Sequence, residues 1–134
     1  MIATLALPAG LRAQLAAEAR AAVPLECCGL IEGAGEGSAL RVTALHPTRN
    51  LAAAPGCFEI DPAEHVRLLR GLRGTNRGIV GCYHSHPGGA AEPSPRDLAA
   101  AVDDGFVWLI AAVPGEMAAF IFEDGAFRPL PLKG

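Results

Sequence analysis

The chain is 134 residues long, 51% hydrophobic and 19% charged, with a formal net charge of −3. These values predict one compact domain over residues 1–134, with a good apolar core and no room for a second. The acids and bases are scattered without a basic run, apolar runs fall far below membrane-spanning length and the N-terminus lacks signal-peptide organisation; nucleic-acid and membrane partners are therefore not expected, and a cytoplasmic protein is.

Residues 2–7, Ile-Ala-Thr-Leu-Ala-Leu, read as a first strand stopped by Pro8. Leu11, Leu15, Ala19, Ala22 and Val23 recur at helical spacing opposite Arg12, Gln14 and Arg20, which predicts an amphipathic helix of about four turns. Pro24 ends it, Glu26 follows directly, and Cys28 to Ile31 continue as a buried strand. Residues 33–38 are Gly-rich and read as a hairpin loop, after which 39–46 return as a strand with Leu40, Val42 and Ala44 on one face. A polar loop from Thr48 to Gly56 precedes a short strand at 57–60. Asp61-Pro62-Ala63-Glu64 then starts a helix, with a reciprocal capping arrangement between Asp61 and Glu64. That helix is expected to bury Val66, Leu69 and Leu72 and to show Arg67, Arg70 and Arg73 to water. Residues 106–113 form a continuous apolar run, as expected of a central strand covered on both faces. Turns at Pro114-Gly115 and Asp124-Gly125 lead into Met117–Phe122 and a final edge strand carrying Pro129 and Pro131. The sum is an α/β domain with a mixed, largely antiparallel sheet flanked by helices.

Chemistry concentrates between these elements, at Cys82-Tyr83-His84-Ser85-His86-Pro87 and Ser94-Pro95-Arg96-Asp97. Residues 77–83 read as a short strand opened by Gly78, and residues two apart on a strand share a face. His84 and His86 therefore present two imidazoles side by side where Pro87 ends the strand. Ser94 at the N-cap, Pro95 at the first position and Asp97 at the third predict a helix over 95–103. Two neutral nitrogen donors and a carboxylate make the three-ligand set of a catalytic zinc, whose fourth position is left for water. Taken separately, the histidines are equally readable as surface residues and Ser-Pro-Arg-Asp as a plain capping sequence.

Together, His84-Ser85-His86-Pro87 and Ser94-x-x-Asp97, with ten residues (87 to 96) between His86 and Asp97, resemble the signature of the JAMM or MPN-plus metalloproteases, bacterial JAB branch. Members of that family remove ubiquitin and ubiquitin-like proteins from conjugates. The signature also has a glutamate just before an upstream strand, and Pro24-Leu25-Glu26-Cys27-Cys28-Gly29-Leu30-Ile31 supplies it as Glu26. Asn50, Phe58-Glu59-Ile60-Asp61-Pro62 and Gly78-Ile79-Val80-Gly81 are also similar to the small bacterial branch. Cys82 departs from the pattern, where a bulkier apolar residue is usual, and the long insertions of eukaryotic relatives are absent.

The resemblance implies a single MPN/JAMM domain with one Zn²⁺ per chain on His84, His86 and Asp97. It implies Glu26 as the catalytic base and Ser94 as hydrogen-bond donor to the developing oxyanion, a role that coexists with capping. It further implies a zinc metallopeptidase or isopeptidase that cleaves after the C-terminal Gly-Gly of a ubiquitin-like or sulfur-carrier protein. Its oligomeric state stays open, a homodimer included.

Other titratable residues receive lesser roles. Glu92 is the weaker rival for the base, Ser85 points away from the imidazoles, and His46 and His65 read as a strand-end and a helix-surface histidine. Cys82 reads as a small packing residue beneath the metal, since a fourth protein ligand would close the site. The four cysteines (27, 28, 57 and 82) include no Cys-x-x-Cys and fit buried thiols. The alternative function is a non-catalytic scaffold of the same fold. Neither His-Glu-x-x-His nor the deaminase pattern of His-x-Glu with Pro-Cys-x-x-Cys occurs.

Overall fold

A computed structural model describes residues 1–52 and 54–134. In chain order these form β1 (Thr4–Ala6), α1 (Ala9–Ala22), β2 (Cys28–Glu36), β3 (Ala39–Thr48), α2 (Pro62–Gly71), β4 (Gly78–Pro87), α3 (Pro95–Ala100), β5 (Val107–Val113), β6 (Met117–Glu123), β7 (Ala126–Leu130) and β8 (Leu132–Lys133). The strands make one mixed sheet in the order β7-β6-β5-β4-β2-β3-β1-β8. β2–β3, β2–β4, β5–β6 and β6–β7 pair antiparallel, whereas β4–β5, β1–β3 and β1–β8 pair parallel.

Alternation along the central strands divides the core. Tyr83, Val107, Leu109 and Ala111 face one side, where Leu15 and Ala19 of α1 close over them. Cys82 and Trp108 face the other, with Leu30, Leu68 of α2 and Phe122. Tyr83 is fully buried, and its hydroxyl donates to Glu18 Oε1 at 2.7 Å, tying α1 to β4. Such a bond keeps the one polar atom of a large buried side chain satisfied.

Several boundaries differ from the sequence expectation, each for a local reason. β2 runs on through the Gly-rich stretch to Glu36, and the turn shrinks to Gly37 and Ser38, with Gly37 at φ 61°. The partner strand carries a bulge, since Glu32 pairs with Ala44 but Gly33 with Val42. Thr43 is the extra residue, so the buried face runs Leu40, Val42, Leu45 and not Leu40, Val42, Ala44. No strand forms at 57–60, where only Ile60 bridges to Asn50. The side chain of Asn50 bonds Cys57 O and Glu59 N–H, backbone groups that a ladder would use. The loop expected over 48–56 includes Ala53, which lies outside the described residues.

At α2, Asp61 Oδ1 accepts from Ala63 N–H at 2.9 Å, but Glu64 pairs with Arg67 at 2.7 Å and does not return to the cap. The helix meets the sheet through Leu68, with His65 against Phe106, leaving Val66 and Leu69 exposed. Leu72 is half-buried, whereas the burial expected of Val66 and Leu69 falls one residue earlier, on His65 and Leu68. α3 ends at Ala100, before the expected 103, because Ala101 turns extended and Gly105, at φ 84°, turns the chain into β5. The last strand is split by Pro131. Its first half pairs with β6 and its second with β1, so residues 126–133 join the two ends of the sheet.

Two glycines are required by close approach. A Cβ on Gly81 would overlap the backbone oxygen of Val107, and one on Gly29 would overlap the Tyr83 ring and His46 O. The Val107 oxygen belongs to the ladder between two central strands and cannot move aside as a side chain could. Gly81→Ala is expected to lower stability by at least the ~1–3 kcal/mol typical of overpacking, read as a lower urea midpoint at unchanged slope. An unchanged midpoint would show that β4 and β5 can separate freely.

Candidate metal centre

Three segments build the site. On β4, Tyr83 and Ser85 point toward α1, which sends His84 and His86 to the opposite face. β2 runs antiparallel beside it, with Cys28 opposite His84. Just beyond the paired residues, Ser85 N–H donates to Cys27 O at 3.2 Å, and Cys27 N–H donates to Ser85 Oγ at 2.9 Å. The register thus continues, and Glu26 falls opposite His86. α3 supplies Asp97 through a complete capping box. Ser94 Oγ accepts from Asp97 N–H at 3.1 Å, and Asp97 Oδ2 accepts from Ser94 N–H at 2.9 Å.

These elements bring His84 Nε2, His86 Nε2 and Asp97 Oδ2 together, at 2.9 Å between the nitrogens and 3.1 and 3.3 Å to the oxygen. Donor atoms bound tetrahedrally to one zinc at its usual bond lengths lie about 3.3 Å apart. Ligating atoms of Glu26, His84 and His86 also lie within 4.8 Å of one another, a group able to hold a metal ion. Asp97 approaches the imidazole nitrogens closely, while Glu26 completes the rim.

The imidazoles are oriented differently. His86 Nδ1 lies 2.8 Å from Ala90 O. A carbonyl only accepts, so Nδ1 carries the proton and the Nε2 lone pair faces the cluster, as a metal-ligating histidine requires. His84 is fully buried, and its Nδ1 has no hydrogen-bond partner among the described residues. Its ring is held by apolar walls. Phe58 stacks on it at 4.3 Å and 19°, and Trp108 meets it edge-on at 5.8 Å.

Electrostatics separate the two carboxylates. Burial pushes the Glu26 carboxyl up to about 7, in the range that suits a base working near neutrality. Burial also acts upward on Asp97, but the His84 and His86 imidazoles beside it outweigh this and hold it well below the carboxylate range. Burial lowers His84, whereas the Asp97 carboxylate beside its Nε2 raises His86. Burial pushes the Cys82 thiol far up, so it stays protonated beneath the site. A metal must displace whatever proton the donor atoms share, so acid weakens its binding.

Glu26, His84, His86, Ser94 and Asp97 are all brought to one place. Glu92, the rival base, is exposed. His46 bonds Glu32 at 3.0 Å, and half-buried His65 lies against Phe106. Sequence reading did not assign the Phe58 ring its place on His84, nor Ser85 and Asn50 their bonds to the segment carrying Glu26. Ring stacking between distant segments has no periodic signal, and an asparagine in a loop of small residues looks like a turn former. A cleft of about 560 Å³ lies behind His84, lined by Phe58, Ile60, Cys82, Val102 and Trp108 among others. A groove of about 460 Å³ borders Glu26, Cys27, Arg49 and Asn50.

Fold and site define a mixed α/β domain with a candidate mononuclear metal centre at a strand end. The chain belongs to the prokaryotic JAB family, whose model, described as prokaryotic homologs of the JAB domain, matches residues 8–123. It is 40% identical over 108 residues to a desampylase of Haloferax volcanii, covering 80% of this chain and 76% of that protein. It is 33% identical over 93 residues to a probable TtuB-protein conjugate cleaving protease of Thermus thermophilus, covering 69% of this chain and 60% of that one. A solution structure of a Desulfitobacterium hafniense protein superposes with a TM-score of 0.86 at 27% identity, over 96% of this chain and 91% of that one. Among the described residues no helix is long and apolar enough to cross a membrane.

The raised Glu26 carboxyl predicts a pH signature of the metal-free protein. Between the ordinary 4.5 and about 7, the folded protein keeps a proton that the unfolded chain has released. Stability from this group is therefore present below that window and lost as pH rises through it. Glu26→Gln removes the titration. The stability of the wild type relative to that variant, from urea unfolding, is expected to fall across this window and level off above it. A constant difference would show that burial does not perturb Glu26.

Proposed function

We propose that this protein is a zinc-dependent peptidase or isopeptidase that cleaves after the C-terminal Gly-Gly of a ubiquitin-like or sulfur-carrier protein. The observation that carries the reading is the convergence of His84 Nε2, His86 Nε2 and Asp97 Oδ2 within 2.9–3.3 Å, with the buried Glu26 beside them. The likeness to a desampylase and to a probable conjugate-cleaving protease supports the reaction class and the kind of substrate.

On this reading His84, His86 and Asp97 hold one zinc per chain. The ion supplies Lewis-acid activation of water and of the scissile carbonyl. Glu26, whose carboxyl lies near 7 before any cation arrives, accepts a proton from the attacking water and passes it to the leaving amine. A bound cation lowers that value and favours the basic form at neutral pH. Ser94 accepts in its cap through Oγ, so its own hydroxyl proton remains free to donate to the developing oxyanion. Phe58 and Trp108 exclude water from the face of His84 they cover.

Elemental analysis is expected to find one zinc per chain in the wild type and none in His84→Ala, with circular dichroism confirming that the variant is folded. Glu26→Gln should keep zinc and fold but lose about 10²–10⁴-fold in turnover, the range for a general acid–base group. Zinc retention by folded His84→Ala would remove the ligand assignment, and zinc loss from Glu26→Gln would make Glu26 a ligand.

The substrate is tested separately. A carrier joined to an amino acid after Gly-Gly is compared with the same conjugate carrying Ala-Ala. Preference for Gly-Gly is expected, because a narrow passage that takes glycine has no space for a methyl group. Equal cleavage of both would leave a general peptidase of extended chains.

A further inference from the structure

Asn50 is placed where the Glu26 segment meets the loop that bears Phe58. Its Nδ2 donates to Glu26 O at 3.1 Å and to Cys57 O at 3.1 Å. Its Oδ1 accepts from Ala52 N–H at 2.9 Å and from Glu59 N–H at 3.0 Å. Two carbonyls can only accept and two amides can only donate, so the partners fix which way the side chain faces. Every hydrogen-bonding position of the amide is used.

These four bonds lead to two parts of the site. One is the main chain of Glu26. The other is the peptide before Phe58, whose ring stacks on His84 at 4.3 Å. Leu51 N–H also donates to Glu59 O at 2.9 Å, closing the loop behind Asn50. Ser85 holds the peptide after Glu26 from the opposite side. Among the described residues, Asn50 is therefore the side chain that fastens Cys57 and Glu59 to the Glu26 segment. A loop staple alone would need only the bonds to residues 52, 57 and 59. The bond to Glu26 O has no part in closing that loop.

We infer that Asn50 is a positioning residue, which sets both the place of the Glu26 carboxylate beside His84 and His86 and the place of the Phe58 ring. This rests on the reading of Glu26 as the base. Asn50→Asp keeps an acceptor for Ala52 and Glu59 but turns a second carboxylate oxygen toward the carbonyls of Glu26 and Cys57. Asn50→Ala removes all four bonds without adding charge, so that one folded variant of the pair suffices.

Crystal structures of the zinc-loaded variants are compared with the wild type, and kcat and KM are measured on a Gly-Gly-linked carrier conjugate. Zinc content is expected to stay at the wild-type value. Glu26 should shift by about 1 Å relative to the imidazoles and kcat should fall about 10²-fold, the usual loss for misplacement on that scale, while KM holds. Two results would overturn the inference: Glu26 and Phe58 in their wild-type places in a folded variant, or displaced with kcat intact. Should the wild type cleave no conjugate, the proposed activity fails on that ground, and the displacement of Glu26 alone decides whether Asn50 positions it.

Discussion

The register of β2 on β4 is the constraint on which the site depends. It places Cys28 against His84, and through the Ser85–Cys27 bonds it places Glu26 against His86. A slip of one residue would turn Glu26 to the α1 side and bring Cys27 to the face of His84 and His86. Close packing prevents that slip. Gly29 is the residue that fits beneath the Tyr83 ring, and Gly81 the one that fits against Val107 O. The irregular pairing is kept at the far end, where β2 jumps from Ile31–Gly81 to Glu32–Ile79. There the buried Glu32 carboxylate takes Thr43 at 2.7 Å and His46 and Arg77 at 3.0 Å. Burial alone would raise that carboxyl, but these partners hold it below its ordinary value. The bulges are thus pinned by one charged group, and the segment leading to the candidate metal centre stays regular.

Much of this was legible in the residues. Strand alternation put His84 and His86 on one face, the cap pattern put Asp97 on a helix start, and the apolar run at 106–113 gave the central strand. What was hidden depended on contacts between distant segments. The bulge at Thr43 moved the core face from Ala44 to Leu45 because Glu32 binds the displaced residue. The 57–60 segment has strand-like composition, yet Asn50 occupies its backbone groups and His84 takes its aromatic ring. α2 has two stripes one residue apart, Val66–Leu69 and His65–Leu68, and the sheet beneath it selects between them. Periodicity reports what can be buried, not which neighbour arrives to bury it.

Asp97 shows how a short helix can serve two purposes. Glutamate or glutamine is usual at the third position of a capping box. Aspartate is shorter, and here the same Oδ2 accepts from Ser94 N–H at 2.9 Å and faces both Nε2 atoms. The cap therefore fixes the carboxylate without a dedicated support. The six-residue helix could not stand alone. It holds one oxygen where two imidazoles point.

The two histidines reach the same point by different means. Ala90 O sets the His86 tautomer in advance, leaving Nε2 free. The His84 ring is covered by Phe58 and Trp108, and its Nδ1 has no partner among the described residues. Without a metal, the His84 proton is best placed on Nε2, donating to Asp97 Oδ2 at 3.1 Å. For Nε2 to bind zinc the proton must move to Nδ1, where it is buried and has no partner among the described residues. That arrangement costs about 1–3 kcal/mol, against apparent zinc-binding energies of about 10–16 kcal/mol at structural sites. Zinc binding of that strength would outweigh the cost of the tautomer change. The apolar walls leave His84 free to make that change, where a hydrogen-bonding partner on Nδ1 would have fixed one tautomer before the ion arrived.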